Sequence, residues 1–137
     1  MTDHALPLQL DEVFFPVQEV RANPEHDPSG PPTDTQINQS VDAWAIDEAA
    51  GLYSVTLEIS TDRETSVNPP YFFVLNAYAA MRVDPQLDAA TRQSMVHANG
   101  QTILVGAARE RLLDLSARGP WGRFLLGTLP VVVPSAN

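Results

Sequence analysis

Between residues 52 and 62 the side chains alternate without a break. Tyr53, Val55, Leu57 and Ile59 fall on one face, and Ser54, Thr56, Glu58 and Ser60 on the other. A period of two held over that length predicts a half-buried β-strand. Leu6 to Arg21 shows the same period with a change of phase: Leu6, Leu8 and Leu10 share one parity, and Val13, Phe15 and Val17 the other. A bulge near Asp11-Glu12 reconciles the two halves, and Pro16, which has no N–H to give to a ladder, requires an edge or bent strand. Ile37 to Asp47 is a further strand, with Ile37, Val41, Ala43 and Ala45 on one side and Trp44 and Ile46 on the other. Tyr71 to Val83 differs from these. Tyr71, Phe73, Leu75, Ala77, Ala79 and Met81 make one apolar row, but Phe72, Val74 and Tyr78 make the opposite side apolar as well. Such a strand is expected to be covered on both sides, by a helix, a second subunit or a ligand.

The connections carry their own signals. Asn23 to Thr35 is rich in Pro, Gly, Asp and Ser and predicts a loop, and Asp47 to Gly51 predicts a turn. Asp84-Pro85 has the form of a helix cap followed by proline at the first helical position, predicting a helix to Ala98 that ends at Asn99-Gly100. A second helix is predicted from Gln101 to Arg118, with Leu104, Ala108, Leu112 and Leu115 at helical spacing and Gly119-Pro120 as its stop. Trp121 to Pro134 is an apolar tail. Four strands followed by two helices give an α+β domain spanning residues 1–137: a four-stranded antiparallel meander with both helices on one face.

Composition removes several function classes. The chain has no cysteine, so disulfides, thiolate nucleophiles and Cys-ligated metals are excluded. It also has no lysine, since all eight basic residues are arginine; a P-loop lysine and Schiff-base chemistry are therefore absent. The net charge of −9 is uneven: residues 1–98 hold fifteen acids and four arginines, a net of −11, and residues 99–137 hold two acids and four arginines, a net of +2. Such a chain repels phosphate backbones, and nucleic acid is not an expected partner. No apolar run approaches the ~20 residues needed to cross a bilayer. Met1-Thr2-Asp3-His4 lacks the basic-then-apolar order of a signal peptide, so a cytoplasmic location is expected.

No catalytic constellation emerges. The histidines are His4, His26 and His97. His26 stands between Glu25 and Asp27 in a proline-rich loop, which lacks the rigidity of a metal site, and His97 is placed near a helix end, where it would cap carbonyls. Asp11-Glu12 and Asp47-Glu48 are adjacent acids whose side chains diverge on a strand, so neither pair forms an acid–base dyad. Ser40, Ser54 and Ser60 lie in no G-x-S-x-G setting. The expectation is a protein that is not an enzyme and carries no metal or cofactor.

Ile103-Leu104-Val105-Gly106-Ala107-Ala108-Arg109-Glu110, seven residues, then Arg118-Gly119, resembles the main helix of the SecB protein-export chaperone family, which shows I-L-F-P-Y-A-R-E, seven residues, then R-G. Ile103, Leu104, Ala108, Arg109, Glu110, Arg118 and Gly119 match without a gap, and Gly106-Ala107 stand where the family has Pro-Tyr. Leu129-Pro130-Val131 is similar to the family's L-x-P-V segment, residues 52–59 to its third strand and residues 72–83 to its fourth. The chain thus looks like a divergent, C-terminally truncated SecB-like protein. Its sequence stops at Asn137, short of the family's C-terminal helix and tail, which help contact the SecA motor. Val17 and Arg21 fall near the place of the family's acidic pair.

The resemblance implies an ATP-independent holdase for unfolded polypeptides and preproteins in protein export, assembled as a tetramer from two dimers. SecA or an antitoxin is the further partner it suggests, because truncated SecB-like proteins also occur beside toxin–antitoxin pairs. Weak apolar contacts repeated along one client would supply affinity by avidity. The expected client groove lies between the second helix and the outer apolar residues of the sheet, lined by Trp44, Ile46, Phe72, Val74, Tyr78, Trp121 and Phe124. Two other classes remain open: a chaperone dedicated to one antitoxin, and a small-ligand-binding or enzymatic α+β domain with the fourth strand lining a closed pocket.

Overall fold

The computed structural model describes residues 7–131; His4 and Leu6 at one end and Val132, Val133 and Pro134 at the other lie outside them. Four strands and one helix follow in order: β1 (Leu8–Ala22), β2 (Ile37–Asp47), β3 (Leu52–Thr61), β4 (Tyr71–Val83) and α1 (Ala89–Ser116). The strands form one antiparallel sheet in the order β1-β4-β3-β2. The meander expectation is corrected here. Strands β2, β3 and β4 are joined by hairpins, but β1 lies beside β4, and the connection 23–36 carries the chain across the sheet to its far edge, a Greek-key path.

The alternation that predicts β3 and β4 also builds the core. Tyr53, Val55, Leu57 and Ile59 pair with Met81, Ala79, Ala77 and Leu75, and all eight are buried on the same face. From α1, Val96, Leu104, Ala108 and Leu112 pack onto that face, and Val41 joins from β2. In β1 the expected shift occurs at Asp11, between the pairs Leu10–Met81 and Glu12–Ala80. A second shift follows at Phe15-Pro16, between Phe14–Tyr78 and Val17–Asn76, so the bulge takes up the residue that cannot donate. Val17 therefore turns away from the core, and Val20, paired with Phe73, turns towards it.

Two expected helices are one. Asp84 is not the cap: its carbonyl and carboxylate accept from Leu87 N and Gln86 N in a turn. The cap is Asp88, whose Oδ1 accepts from Thr91 N at 2.7 Å. This backbone bond, with the Thr91 hydroxyl, holds the Asp88 carboxyl below its ordinary range of about 3.8. A depressed folded-state value stabilises the fold above the ordinary pKa, and that contribution is lost as pH falls through the depressed value. Asp88→Ala should therefore lower Tm at pH 7, with the gap to the native chain closing in scans as pH falls below 3.8 and through the depressed value.

Gly100 does not stop the helix because its work is close approach. A Cβ there would stand 2.5 Å from Val55 Cγ1, so glycine is what lets the middle of a 28-residue helix rest on β3. Gly100→Ala gains ~1 kcal/mol of helix propensity but overpacks the core by about 1–3 kcal/mol, so chemical denaturation should show a net loss. If Gly100 were a simple helix end, the same change would be neutral or stabilising. His97, expected near a helix end, consequently sits mid-helix and buried.

Beyond α1 the chain folds back against the same side of the sheet. Tyr71 Oη donates to the Gly122 carbonyl at 2.6 Å and accepts from Trp121 N at 3.1 Å. Phe124 N donates to Ser116 Oγ, Phe124 packs on Phe73 with ring centroids 5.4 Å apart, and Leu126 is buried in the core.

Candidate functional site

Helix α1 and residues 121–131 occupy one face of the sheet, and the described residues leave the other face bare. Its composition follows from register. Reading from β2 to β1, the rows are Trp44–Ser54–Ala80–Glu12, Asp42–Thr56–Tyr78–Phe14, Ser40–Glu58–Asn76–Val17 and Asn38–Ser60–Val74–Glu19, and then Phe72 beside Arg21. The β1–β4 half carries an apolar band of Phe14, Val17, Phe72, Val74 and Tyr78. The β2–β3 half is polar until Trp44.

The band is held in place rather than loose. Tyr78 and Phe14 stack with centroids 4.6 Å apart and planes inclined at 26°. Tyr78 Oη lies 2.5 Å from Ser54 Oγ, which fixes the ring from the β3 side. The Arg63 guanidinium sits 3.9 Å over the Phe72 ring, a cation–π contact that caps one end. Phe14 is 42% exposed, Trp44 44%, Val74 38% and Ile46 51%, the last in the bulge that ends β2. Large apolar side chains this exposed on one face mark an interaction surface more strongly than single ones scattered over the molecule do. Asn38, Ser40, Glu58, Ser60, Asn76 and Val74 line an open depression of about 350 Å³ beside the band. Glu12, Glu19, Asp42 and Glu58 lie in the rows of this face against Arg21 and Arg82, which pair with Glu19 and Asp11 at 3.1 and 2.7 Å. Carboxylate is in excess.

The expected groove between helix and outer apolar residues is not formed, because α1 lies on the opposite side. Of the seven candidates, Trp44, Phe72, Val74 and Tyr78 share the bare face and Ile46 is exposed at its end. Trp121 and Phe124 do not reach it. Trp121 packs edge-on against His26 at 4.9 Å and donates Nε1 to the Asn23 carbonyl at 2.9 Å, and Phe124 props the core. Phe14 and Val17 belong to the face and were not among the candidates. The signal for Val17 is Pro16: read as a second bulge, it turns Val17 to the side of Phe14.

Among the described residues no group of three or more His, Asp or Glu side chains could hold a metal ion, and His26 Nδ1 is engaged 3.0 Å from the Asn68 carbonyl.

No protein-family model matches the sequence, and no curated protein is a significant match to it. Among solved structures, the chain is similar to the SecB-like chaperone Rv1957 of Mycobacterium tuberculosis, determined in complex with a ChAD peptide from the Rv1956 HigA1 antitoxin. The TM-score is 0.64 at 15% identity, covering 93% of this chain and 94% of that one. The fold is SecB-like. A protein of unknown function from Streptococcus agalactiae is also similar, with a TM-score of 0.54 at 12% identity over 90% of this chain and 99% of that one.

Within this SecB-like fold the matched motif takes on physical content. Leu104 and Ala108 are fully buried stripe residues of α1, and Arg109 donates to the Leu126 and Gly127 carbonyls at 2.8 and 3.1 Å. Gly119 abuts Tyr71, where a Cβ would lie 2.4 Å from Oη. These residues fasten the helix and the segment after it to the sheet. No helix among the described residues is long and apolar enough to cross a membrane.

Proposed function

We propose that this protein is a nucleotide-independent holdase that binds extended, apolar stretches of unfolded polypeptide on the bare face of its sheet. The observation that carries the reading is the band of exposed Phe14, Val17 and Val74 with half-buried Phe72 and Tyr78, and Trp44 across the same uncovered face. Side chains of this kind offer large contact area at low entropic cost and favour no single sequence. The SecB-like fold supports it, as does the structural neighbour's complex with a peptide from an antitoxin.

As part of the same reading, we take the working form to be a homo-oligomer in the cytoplasm, a tetramer built from two dimers. The free edge of β1 offers unpaired backbone for strand pairing between copies. The outer side of α1 offers a second contact surface, since residues 93–108 carry no Asp, Glu, Lys or Arg. Clients are preproteins bound for export, with SecA as the onward partner. A second reading, service to one antitoxin, is favoured by the neighbour's bound peptide. The test is suppression of aggregation of several unrelated denatured proteins without nucleotide. Protection of all of them supports the general holdase, protection of a cognate antitoxin alone supports the dedicated one, and protection of none refutes both.

A further inference from the structure

Residues 123–131 have no regular secondary structure, and their later part lies between α1 and the edge strand β2, with Pro130 held from both. Among the described residues, no backbone-to-backbone hydrogen bond ties this segment to the rest of the molecule. Side chains hold its carbonyls instead: Arg109 those of Leu126 and Gly127, and the amides of Gln39 on β2 and Gln101 on α1 that of Pro130, at 3.0 and 3.2 Å. Donors aimed at main-chain carbonyls recognise an extended chain whatever its side chains.

The segment has two unequal halves. Phe124 and Leu126 are anchored in the core and fix the first half in place. From Gly127 onward the attachment is slight. Gly127, Thr128, Pro130 and Val131 are exposed, Leu129 is half-buried against the core, and side chains hold the Gly127 and Pro130 carbonyls.

We propose that residues 127–131 are the resident occupant of a second polypeptide site, the cleft between α1 and β2, and that an extended apolar client segment displaces them. This rests on the holdase reading and adds a site to it. The occupant is a short extended stretch with an apolar side chain for the place of Leu129 and a carbonyl for Gln39 and Gln101. Because Trp44 and Ile46 stand on the same edge strand, one client can pass from the bare face around β2 into the cleft. The resident segment then sets a threshold: a client must outcompete it, so short or weakly apolar chains do not engage both sites.

The test uses the full chain with reduced, carboxymethylated ribonuclease A as the unfolded probe. A nitroxide on a Thr128→Cys chain, which has no other cysteine, should tumble with a correlation time at least threefold shorter when the probe is bound. Leu129→Ser loosens the resident segment and leaves the cleft's donors in place, so its affinity for the probe should rise about three- to tenfold. Bound probe with unchanged or slowed nitroxide motion at residue 128, or a Leu129→Ser chain that binds no tighter, overturns the second site and leaves the bare-face holdase standing. A probe that neither protein binds overturns both.

Discussion

Replacing Phe14, Trp44 and Val74 together by serine is expected to weaken binding of unfolded polypeptide by about 100-fold while leaving the fold intact. Burying an apolar side chain of this size gains roughly 1.5–3 kcal/mol, so three contribute some 4–9 kcal/mol before the cost of ordering the client. Retaining only ~3 kcal/mol of that corresponds to two orders of magnitude in affinity. The fold is spared because none of the three is a core residue: each is at least 38% exposed, and their row partners across the sheet are Tyr78, Ser54, Ser60 and other residues of the same outer face. Isothermal titration with a reduced, carboxymethylated protein reads the affinity, and circular dichroism checks the fold. An affinity within threefold of the native chain would place the client elsewhere.

The second large effect concerns stability. Leu104→Ala should cost about 2–5 kcal/mol, lowering Tm by roughly 8–20 °C for a chain of this size. Leu104 is completely buried between the middle of α1 and the inner row of the sheet, where nothing can collapse into the space. The same substitution at Leu125, which is 65% exposed, should stay within about 0.5 kcal/mol. The contrast distinguishes the packed face of the helix and its return segment from their solvent side. Differential scanning calorimetry of the two variants is sufficient to measure it.

Much of this was legible in the sequence because it is local. The bounds of β2 and β4 follow from period-two alternation interrupted by turn formers, and Asp11 announces its bulge by a change of parity. What was not legible depends on distant partners. Gly100 reads as a helix stop, and only Val55, forty-five positions earlier, shows why glycine is needed there without breaking the helix. Helix propensity around Gly100 is overridden by the tertiary packing that carries α1 through it. The pairing of β1 with β4 is likewise invisible, because a loop of Pro, Gly and Asp residues reports its polarity and not its destination. The apolar outer side of β4 was readable from Phe72, Val74 and Tyr78. Its placement opposite the helix was not, since a strand apolar on both sides does not say which side the helix takes.

That placement also decides which candidates can act together. Trp121 and Phe124 were grouped with Trp44 by chemistry alone, and the sheet separates them. Val17 reads as an inner residue when β1 is given one bulge, and the second bulge turns it outward beside Phe14. For Val17 the missing quantity was a register, which a single bulge reverses.

The central claim is that client polypeptide lies on the bare face of the sheet, and Trp44 reports on that directly. In a Trp121→Phe chain Trp44 is the only tryptophan, and a tryptophan-free client such as reduced, carboxymethylated ribonuclease A adds none. Titrating that client should shift the Trp44 emission to shorter wavelength and saturate in step with suppression of aggregation. Protection of the client with the emission of Trp44 unchanged would contradict the account.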